Sequence, residues 1–275
     1  TQYSSPKQVG SDTTWQFTEY KFDAMNASDN EDAFAGGIKS DGTFWTWGFN
    51  GFGELGQNNR TNYSSPVQVG SDTTWSLCSW GEHTIAAIKT NGTLWMWGHN
   101  NYGELGQNNR TKYSSPVQVG SDTTWSITSS DGRSSFGIKT DGTLWAWGYN
   151  QQGRLGLRPN IPSGQGEEMF SSPVQMAGNP GTGGRAEGWV AVVPRMAMNS
   201  DGTLWMWGPG DNGQGGKNEN NQSLSMVQIP GTNWGQDMSK ISTTPSNTGA
   251  IKSDGTLWTW GKGCLLYTSP SPRDS

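Results

Sequence analysis

An octet of the form Asp/Asn-Gly-Thr-Leu/Phe-Trp-x-Trp-Gly occurs five times in this chain of 275 residues. The copies begin at Asp41, Asn91, Asp141, Asp201 and Asp254, at steps of 50, 50, 60 and 53 residues. Self-similarity at a nearly fixed period is the signature of a repeat architecture. The octet therefore predicts one small structural unit that is repeated five times.

Each octet predicts a tight turn followed by a strand that is apolar on both faces. The Asp-Gly or Asn-Gly pair at its start is the strongest short-range signal for a two-residue hairpin turn. Side chains alternate along a strand, so Leu94 and Met96 face one side while Trp95 and Trp97 face the other. A unit of this size cannot cover both faces by itself, and neighbouring units are expected to stack against it.

The tryptophans follow the same period. Fifteen of the sixteen fall into three columns, one near the start of each unit and two in the octet. Columns of indole rings are expected to pack between stacked sheets, since each ring buries a large apolar area. The expected repeat core consists of the two octet columns: Trp45, Trp47, Trp95, Trp97, Trp145, Trp147, Trp205, Trp207, Trp258 and Trp260.

Four short strands are predicted in each unit. In the second unit they lie at residues 66–69, 74–78, 83–89 and 93–98. Many short strands joined by glycine-rich turns are typical of an all-β protein, and the chain has 40 glycines. Four-stranded units repeated about an axis describe a β-propeller.

The second unit combines several short motifs in a fixed order. It has Gly81 and His83 before the octet, the pattern N-x-x-G-x-L-G at residues 100–106 after it, and then a strand with Pro116. This order resembles the repeats of the regulator of chromosome condensation family, which implies a β-propeller, usually of seven blades. The fourth unit departs from the pattern, with "GPGDNGQGG" at residues 208–216.

We assign residues 1–261 to one domain of propeller repeats, with units at about 1–60, 61–110, 111–169, 170–222 and 223–261. Five units allow two arrangements. They form either a closed five-blade ring, with a strand at residues 6–9 completing the last blade, or an arc of a seven-blade ring. Residues 262–275 match no repeat and are interpreted as a non-native or disordered tail, a read-through artefact.

Composition argues against several classes of function. The net charge of −5 disfavours nucleic acid, which is bound through clustered Lys and Arg. No apolar run is long enough for a membrane-spanning helix. Two cysteines and two histidines offer no metal-ligand spacing and no catalytic set. No cofactor, metal site or enzymatic activity is therefore expected.

The units differ most in one short segment. Residues 80–87 read "WGEHTIAA" and the equivalent residues 130–137 read "SDGRSSFG", although the flanking text is nearly identical. Variable segments on a fixed scaffold often form the binding face of a repeat protein. Trp80 lies in this segment, where it is either exposed as an interface anchor or packed under its own loop. The predicted partner-binding residues are Asp29, Glu31, Asp32, Trp80, Glu82, Asp131 and Arg133.

Two functional hypotheses follow. In the first, the chain is a non-enzymatic scaffold that binds a protein partner through these variable rim loops, in an extracellular or virion-associated setting such as phage or cell-surface adhesion. In the second, it is a lectin-like propeller that stacks sugars on aromatic side chains such as Trp80, Tyr102 or Tyr149.

Overall fold

The fold is built from short β-strands joined by tight turns. Within the residues that the structure describes, the regular structure consists of nineteen strands and two 3₁₀ segments, Gln151–Gly153 and Met238–Lys240. No helix in the described ranges has the length and hydropathy that a bilayer span requires. The predicted all-β class is confirmed. A computed structural model describes residues 11, 13–16, 33–157, 169–176, 187–216, 222–235, 238–244 and 246–262.

The strands form five sheets, and each sheet takes its strands in chain order. Neighbouring strands are antiparallel. Sheet 1 comprises β1 (Trp15–Gln16), β2 (Phe34–Lys39), β3 (Phe44–Gly48) and β4 (Tyr63–Gln68). Sheet 2 comprises β5 (Trp75–Trp80), β6 (Thr84–Lys89), β7 (Leu94–Gly98) and β8 (Tyr113–Gln118).

Sheets 3 and 4 repeat this plan, and sheet 5 has three strands within the described residues. Sheet 3 comprises β9 (Trp125–Ser130), β10 (Ser134–Lys139), β11 (Leu144–Tyr149) and β12 (Met169–Gln175). Sheet 4 comprises β13 (Trp189–Val193), β14 (Met196–Asn199), β15 (Leu204–Gly208) and β16 (Ser223–Gln228). Sheet 5 comprises β17 (Ile241–Thr243), β18 (Asn247–Ile251) and β19 (Leu257–Gly261).

The sheets are arranged radially, with their first strands innermost. Strand β5 contacts β9, β9 contacts β13, and β13 contacts β17. The octet strand is the third of each sheet, and the strand that follows it closes the outer edge. This is the β-propeller architecture that the repeat predicts. Residues 6–9 lie outside the described ranges, so the choice between a closed ring and an arc stays a prediction.

The sheets are offset by one strand from the units of the sequence. The segment predicted as a strand at residues 66–69 belongs to β4, which pairs with β3, the octet strand of the preceding unit. In this pairing Trp45 lies opposite Gln68 and Gly48 lies opposite Tyr63. The same pairing recurs at β8, β12 and β16. The loop after the octet reverses the chain, so the next strand satisfies the free backbone edge of the strand just completed.

The turn before each octet strand is held by a relay of side-chain hydrogen bonds. In sheet 2 the Thr93 hydroxyl donates to Oδ1 of Asn91 (2.7 Å) and accepts from the indole Nε1 of Trp95 (2.9 Å). The same relay occurs in the other sheets with Asp in place of Asn. Gly92 has φ +75°, and a Cβ there would lie 2.1 Å from the Thr123 carbonyl oxygen. The octet's Asp/Asn-Gly-Thr therefore positions its first tryptophan.

The second tryptophan of the octet connects each sheet to the one before it. The indole Nε1 of Trp97 donates to the carbonyl oxygen of Glu54 at 2.7 Å, and that of Trp147 donates to Glu104 at 2.8 Å. Sheets 4 and 5 repeat the contact: the indole Nε1 of Trp207 donates to the backbone carbonyl oxygen of Arg154, and that of Trp260 donates to the backbone carbonyl oxygen of Gln214. We call this contact the inter-sheet latch. Its acceptors all lie in the loop that follows the preceding octet.

The octet columns are not buried to the same degree. Trp97, Trp147, Trp205 and Trp207 are buried. Trp45, Trp47, Trp95, Trp145 and Trp260 are partly buried. For Trp258 the expectation of a core position is wrong.

The side chain of Trp258 is 50% exposed, and Leu257 beside it is 67% exposed. Sheet 5 has neither a fourth strand nor a following sheet within the described residues. The outer part of β19 is therefore left uncovered there, which accounts for the exposure of both side chains.

Trp205 and Trp258 form a matched pair for measuring the energy of this packing. Both stand first in their octets and both donate to the Thr two residues earlier, but Trp205 is only 2% exposed. We expect Trp205→Ala to lower the free energy of unfolding by about 3–5 kcal/mol, as for other large core truncations. Trp258→Ala is expected to cost less than half as much. Denaturant unfolding followed by circular dichroism measures both, and equal losses would contradict packing between sheets as the source.

Candidate functional site

A cavity of about 780 Å³ lies beside the innermost strands of sheets 2 to 5. The ends of β5, β9, β13 and β17 form its wall, together with the turns that follow the first three of these strands. Loops that follow the octets contribute Gln152, Arg154, Asp211 and Gln214. Both kinds of connection leave the sheets at the same end, because neighbouring strands are antiparallel.

The turns between the first and second strands differ from sheet to sheet. In sheets 2 and 3 they contain three residues, and the amide nitrogens of Gly81 and Asp131 donate to the carbonyl oxygens of Thr84 and Ser134. In sheet 4 only Pro194 and Arg195 separate β13 from β14. These are the segments in which the repeated sequence is variable, and the fold gathers them around the cavity.

Glu82, Asp131 and Arg133 lie at this cavity, as members of the turns in sheets 2 and 3. Glu82 and Arg133 are exposed, and Asp131 is partly buried. Oδ1 of Asp131 accepts hydrogen bonds from the amide nitrogens of Arg133 (3.1 Å) and Ser134 (2.8 Å). The two turns are in direct contact, since a Cβ on Gly132 would lie 2.5 Å from Cβ of Glu82. The structure therefore brings three of the predicted site residues together.

Trp80 is buried, and the expectation of an exposed interface anchor at this position is wrong. Its side chain is 6% exposed, and its ring lies 5.8 Å from that of Phe34 and 5.6 Å from that of Phe44. The indole occupies space that Gly36 leaves open, because a Cβ on Gly36 would lie 2.5 Å from Cη2 of Trp80. Trp80 is thus a packing residue between sheets 1 and 2.

Asp29, Glu31 and Asp32, the acidic part of the predicted site, lie outside the described residues. The segment at residues 263–275, which contains nearly all of the interpreted tail, lies outside them as well.

Two arginines of the site were not predicted from the sequence. Arg154 lies in the loop after the third octet, and its Nη1 is 3.3 Å from Oδ2 of Asp131. Arg195 lies in the short turn of sheet 4 and has φ +67°. A signal for Arg154 was present, because the first two copies of its loop have glutamate at the equivalent position, Glu54 and Glu104.

Those two glutamates have a different environment from Arg154. Glu54 and Glu104 are fully buried, and Oε1 of each lies within hydrogen-bond distance of a histidine Nδ1, His83 at 3.1 Å and His99 at 2.6 Å. Arg154 is instead partly exposed and is directed toward the cavity wall. The change from glutamate to arginine therefore exchanges a buried hydrogen-bonded carboxylate for a cation at the cavity.

A run of aromatic side chains lies next to the site on sheets 1 to 3. In chain order, consecutive ring centroids along it are 4.7–6.4 Å apart, and the guanidinium of Arg133 lies 5.7 Å from the Tyr102 centroid. We call it the aromatic run; it consists of Phe49, Phe52, His83, His99, Tyr102 and Tyr149.

The chemistry at the cavity is that of charged and hydrogen-bonding groups. Cys78, the one thiol in its lining, is buried, and this burial raises its pKa to about 12, so it stays protonated at neutral pH. No three His, Cys, Asp or Glu side chains in the described ranges are placed to hold a metal ion. Three acidic residues, Glu82, Asp131 and Asp211, stand against three arginines, Arg133, Arg154 and Arg195. Such an array can recognise a partner of complementary charge.

Three stretches of the chain, residues 41–88, 91–130 and 141–192, match the family model for the regulator of chromosome condensation (RCC1) repeat and together make up about half of its length. No curated protein matches the chain in sequence.

Among solved structures, human WBSCR16 is similar with a TM-score of 0.67 and 17% identity, over 83% of this chain and 59% of that protein. Yeast RCC1 (Prp20), solved with Kap60 bound, is similar with a TM-score of 0.68 and 16% identity, over 84% of this chain and 54% of that protein. The Prp20p structure from Saccharomyces cerevisiae, whose report also covers binding to Gsp1p and histones, has a TM-score of 0.67 and 16% identity, over 84% of this chain and 56% of that protein. The chain thus spans less than two thirds of each of these proteins.

The two neighbouring residues Trp80 and Glu82 are expected to respond differently to truncation. Trp80→Ala should lower the free energy of unfolding by about 3–5 kcal/mol, because it opens a cavity between two sheets. Glu82→Ala should change it by no more than about 0.5 kcal/mol, because the side chain is exposed. Urea unfolding of both variants provides the measurement. A stable Trp80→Ala protein would contradict the packing role.

Proposed function

The chain belongs to the regulator of chromosome condensation (RCC1) repeat family, and we propose that it is a non-enzymatic scaffold that binds another protein through the turns around the central cavity. The observation that carries the proposal is convergence: the segments in which the repeats differ come from separate sheets and meet at one cavity. In this proposal residues 1–261 form one propeller domain, and its setting is extracellular or virion-associated, where it serves adhesion.

The turns are suited to binding because the scaffold holds them in place. Each three-residue turn is closed by a backbone hydrogen bond, from Gly81 to Thr84 in sheet 2 and from Asp131 to Ser134 in sheet 3. Residues already fixed in the free protein lose little conformational entropy on association. The innermost strands beneath them contact one another from sheet to sheet, which fixes the turns relative to each other.

The charges around the cavity favour a protein over a nucleic acid. Arg133, Arg154 and Arg195 are interspersed with Glu82, Asp131 and Asp211, so the site has no uniformly basic surface. Binding to a phosphate backbone depends on clustered basic residues. Alternating charges instead favour a partner whose own charges alternate to match. The yeast RCC1 protein, whose reported partners are proteins, is similar in fold and supports the proposal.

The proposal is tested by locating where selected binders attach. A library of displayed peptides and small domains is selected on the unmodified protein, and each binder is then measured against two double variants. Glu82→Ala with Arg133→Ala removes two exposed charges at the cavity. Arg60→Ala with Asp122→Ala removes one acidic and one basic charge from exposed positions outside the cavity lining.

We expect most binders to lose at least tenfold in affinity on the cavity variant, which corresponds to about 1.4 kcal/mol. The outer variant should leave their affinity unchanged. Binders that are insensitive to the cavity variant, or equally weakened by both variants, would contradict a partner site at these turns.

A lectin-like function is the second candidate, and the aromatic run favours it. Tyr102 is partly buried, with the ring of Tyr149 4.7 Å away, and rings in this setting can stack on a sugar. A glycan array distinguishes the candidates. Saturable binding of a sugar that is lost on Tyr102→Ala but kept on Glu82→Ala would favour the lectin, while a blank array favours the protein partner.

A further inference from the structure

Arg195 combines two unfavourable local features that the packing of the fold does not explain. Its backbone has φ +67°, a left-handed conformation that is unfavourable for a residue with a Cβ. Its Nε is buried and has no hydrogen-bond acceptor among the described residues. A buried donor without a partner is destabilising. A residue that keeps such costs is often part of a binding or catalytic site.

A second arginine lies against the first. A Cβ placed on Gly208 would lie 3.2 Å from Cδ of Arg195 and 3.5 Å from Cα of Arg154, so the two residues meet over one glycine. Burial lowers the pKa of Arg195, and the charge of Arg154 lowers it further, while Asp131 opposes the change. The guanidinium group of Arg195 remains charged at neutral pH, because the pKa of an arginine starts far above it.

Among the described residues, a single carboxylate is paired with these two cations. Oδ2 of Asp131 lies 3.3 Å from Nη1 of Arg154, and Arg195 Nη2 donates to the Thr244 carbonyl oxygen at 3.4 Å. The pair with Asp131 therefore carries a net charge of +1. The lining of the same cavity also includes Glu82, Arg133 and Asp211, whose formal charges sum to −1.

We propose that Arg154 and Arg195 form a receptor for a single carboxylate group in the cavity. A carboxylate has one negative charge, which matches the net charge of the pair with Asp131. Its two oxygens suit the parallel N–H donors of a guanidinium group, and such bonds are stronger than those between neutral groups. It would also supply the acceptor for Nε of Arg195. A phosphate dianion fits less well, because the second charge would face Asp131.

The source of the carboxylate is a Glu or Asp side chain of the protein partner. This part deepens the proposed function and rests on it, whereas the receptor itself does not. The cavity of about 780 Å³ is large enough for a side chain and its flanking backbone, and it is bordered by the turns assigned to partner binding.

The receptor is tested by following the arginine Nε–Hε signals in ¹⁵N-resolved NMR spectra of the whole chain. Acetate is titrated as the probe, with acetamide as the neutral molecule of the same shape. We expect one Nε–Hε signal to move progressively with acetate, with a dissociation constant on the order of 1 mM, and to stay in place with acetamide. The signal should be absent from the Arg195→Gly spectrum.

Two variants keep the test independent of folding. Arg195→Gly places glycine at a left-handed position and should leave the melting temperature within a few degrees of the original. Arg154→Gln introduces the residue that stands at the equivalent place before sheet 5, Gln214, and should weaken the acetate response at least fivefold. Arg60→Gln is the control, because Arg60 is exposed and lies outside the cavity lining, and it should not change the response.

Absence of any acetate-dependent shift, or a shift of the same size in Arg154→Gln, would overturn the receptor. A capped pentapeptide, Gly-Gly-Glu-Gly-Gly, then tests the source. Binding that moves the same signal and is lost with Gln in place of Glu supports a partner side chain. Binding of acetate alone overturns that source and assigns the receptor to a small free carboxylate. The library selection above is unaffected by either result, so failure of the receptor and failure of the proposed function are distinguishable.

Discussion

The hydrogen bond from the second octet tryptophan to the preceding loop is the contact on which the rest of the structure depends. Each sheet is apolar on both faces, so it is stable only when another sheet lies on each side. The inter-sheet latch fixes how they meet, because Trp97 and Trp147 are fully buried and reach carbonyl groups 43 residues earlier. A buried indole N–H is usually hydrogen-bonded, and here a carbonyl oxygen of the preceding loop accepts that bond. The latch therefore sets the register of one sheet against the next, and hydrophobic burial alone would not.

Fixed and variable residues are separated in space by this arrangement. The octets supply the turn relays, the latch donors and most of the packed indoles, and the octets change little between units. The turns from the first to the second strand bear no part of the latch, so they tolerate differences in length and charge. In sheet 4 that freedom extends to Arg195 in a left-handed conformation. Changes in these turns lie at one end of the innermost strands, where they leave the stacking of the sheets intact.

The sequence predicts the parts of this structure that depend on local patterns. The period, the Asp/Asn-Gly turns and the alternation within each octet are local, and the all-β propeller follows from them. The pairing of β4 with β3 is not local, and neither is the burial of Trp80, which depends on Gly36 in another sheet. Of the candidate site, Glu82, Asp131 and Arg133 could be predicted, because they lie in a segment where otherwise similar repeats differ in sequence. Arg195 could not, since its significance lies in a backbone angle and an unpaired atom.

The equal spacing of the latch in sheets 2 and 3 has a consequence for how such a chain changes over generations. Trp97 and Trp147 each reach back 43 residues, and their octets begin 50 residues apart, at Asn91 and Asp141. Unequal crossing-over between the corresponding gene segments would remove or add one whole unit, and the new junction would again place an indole 43 residues after its acceptor. The number of sheets can therefore change in single steps without any intermediate that lacks a latch.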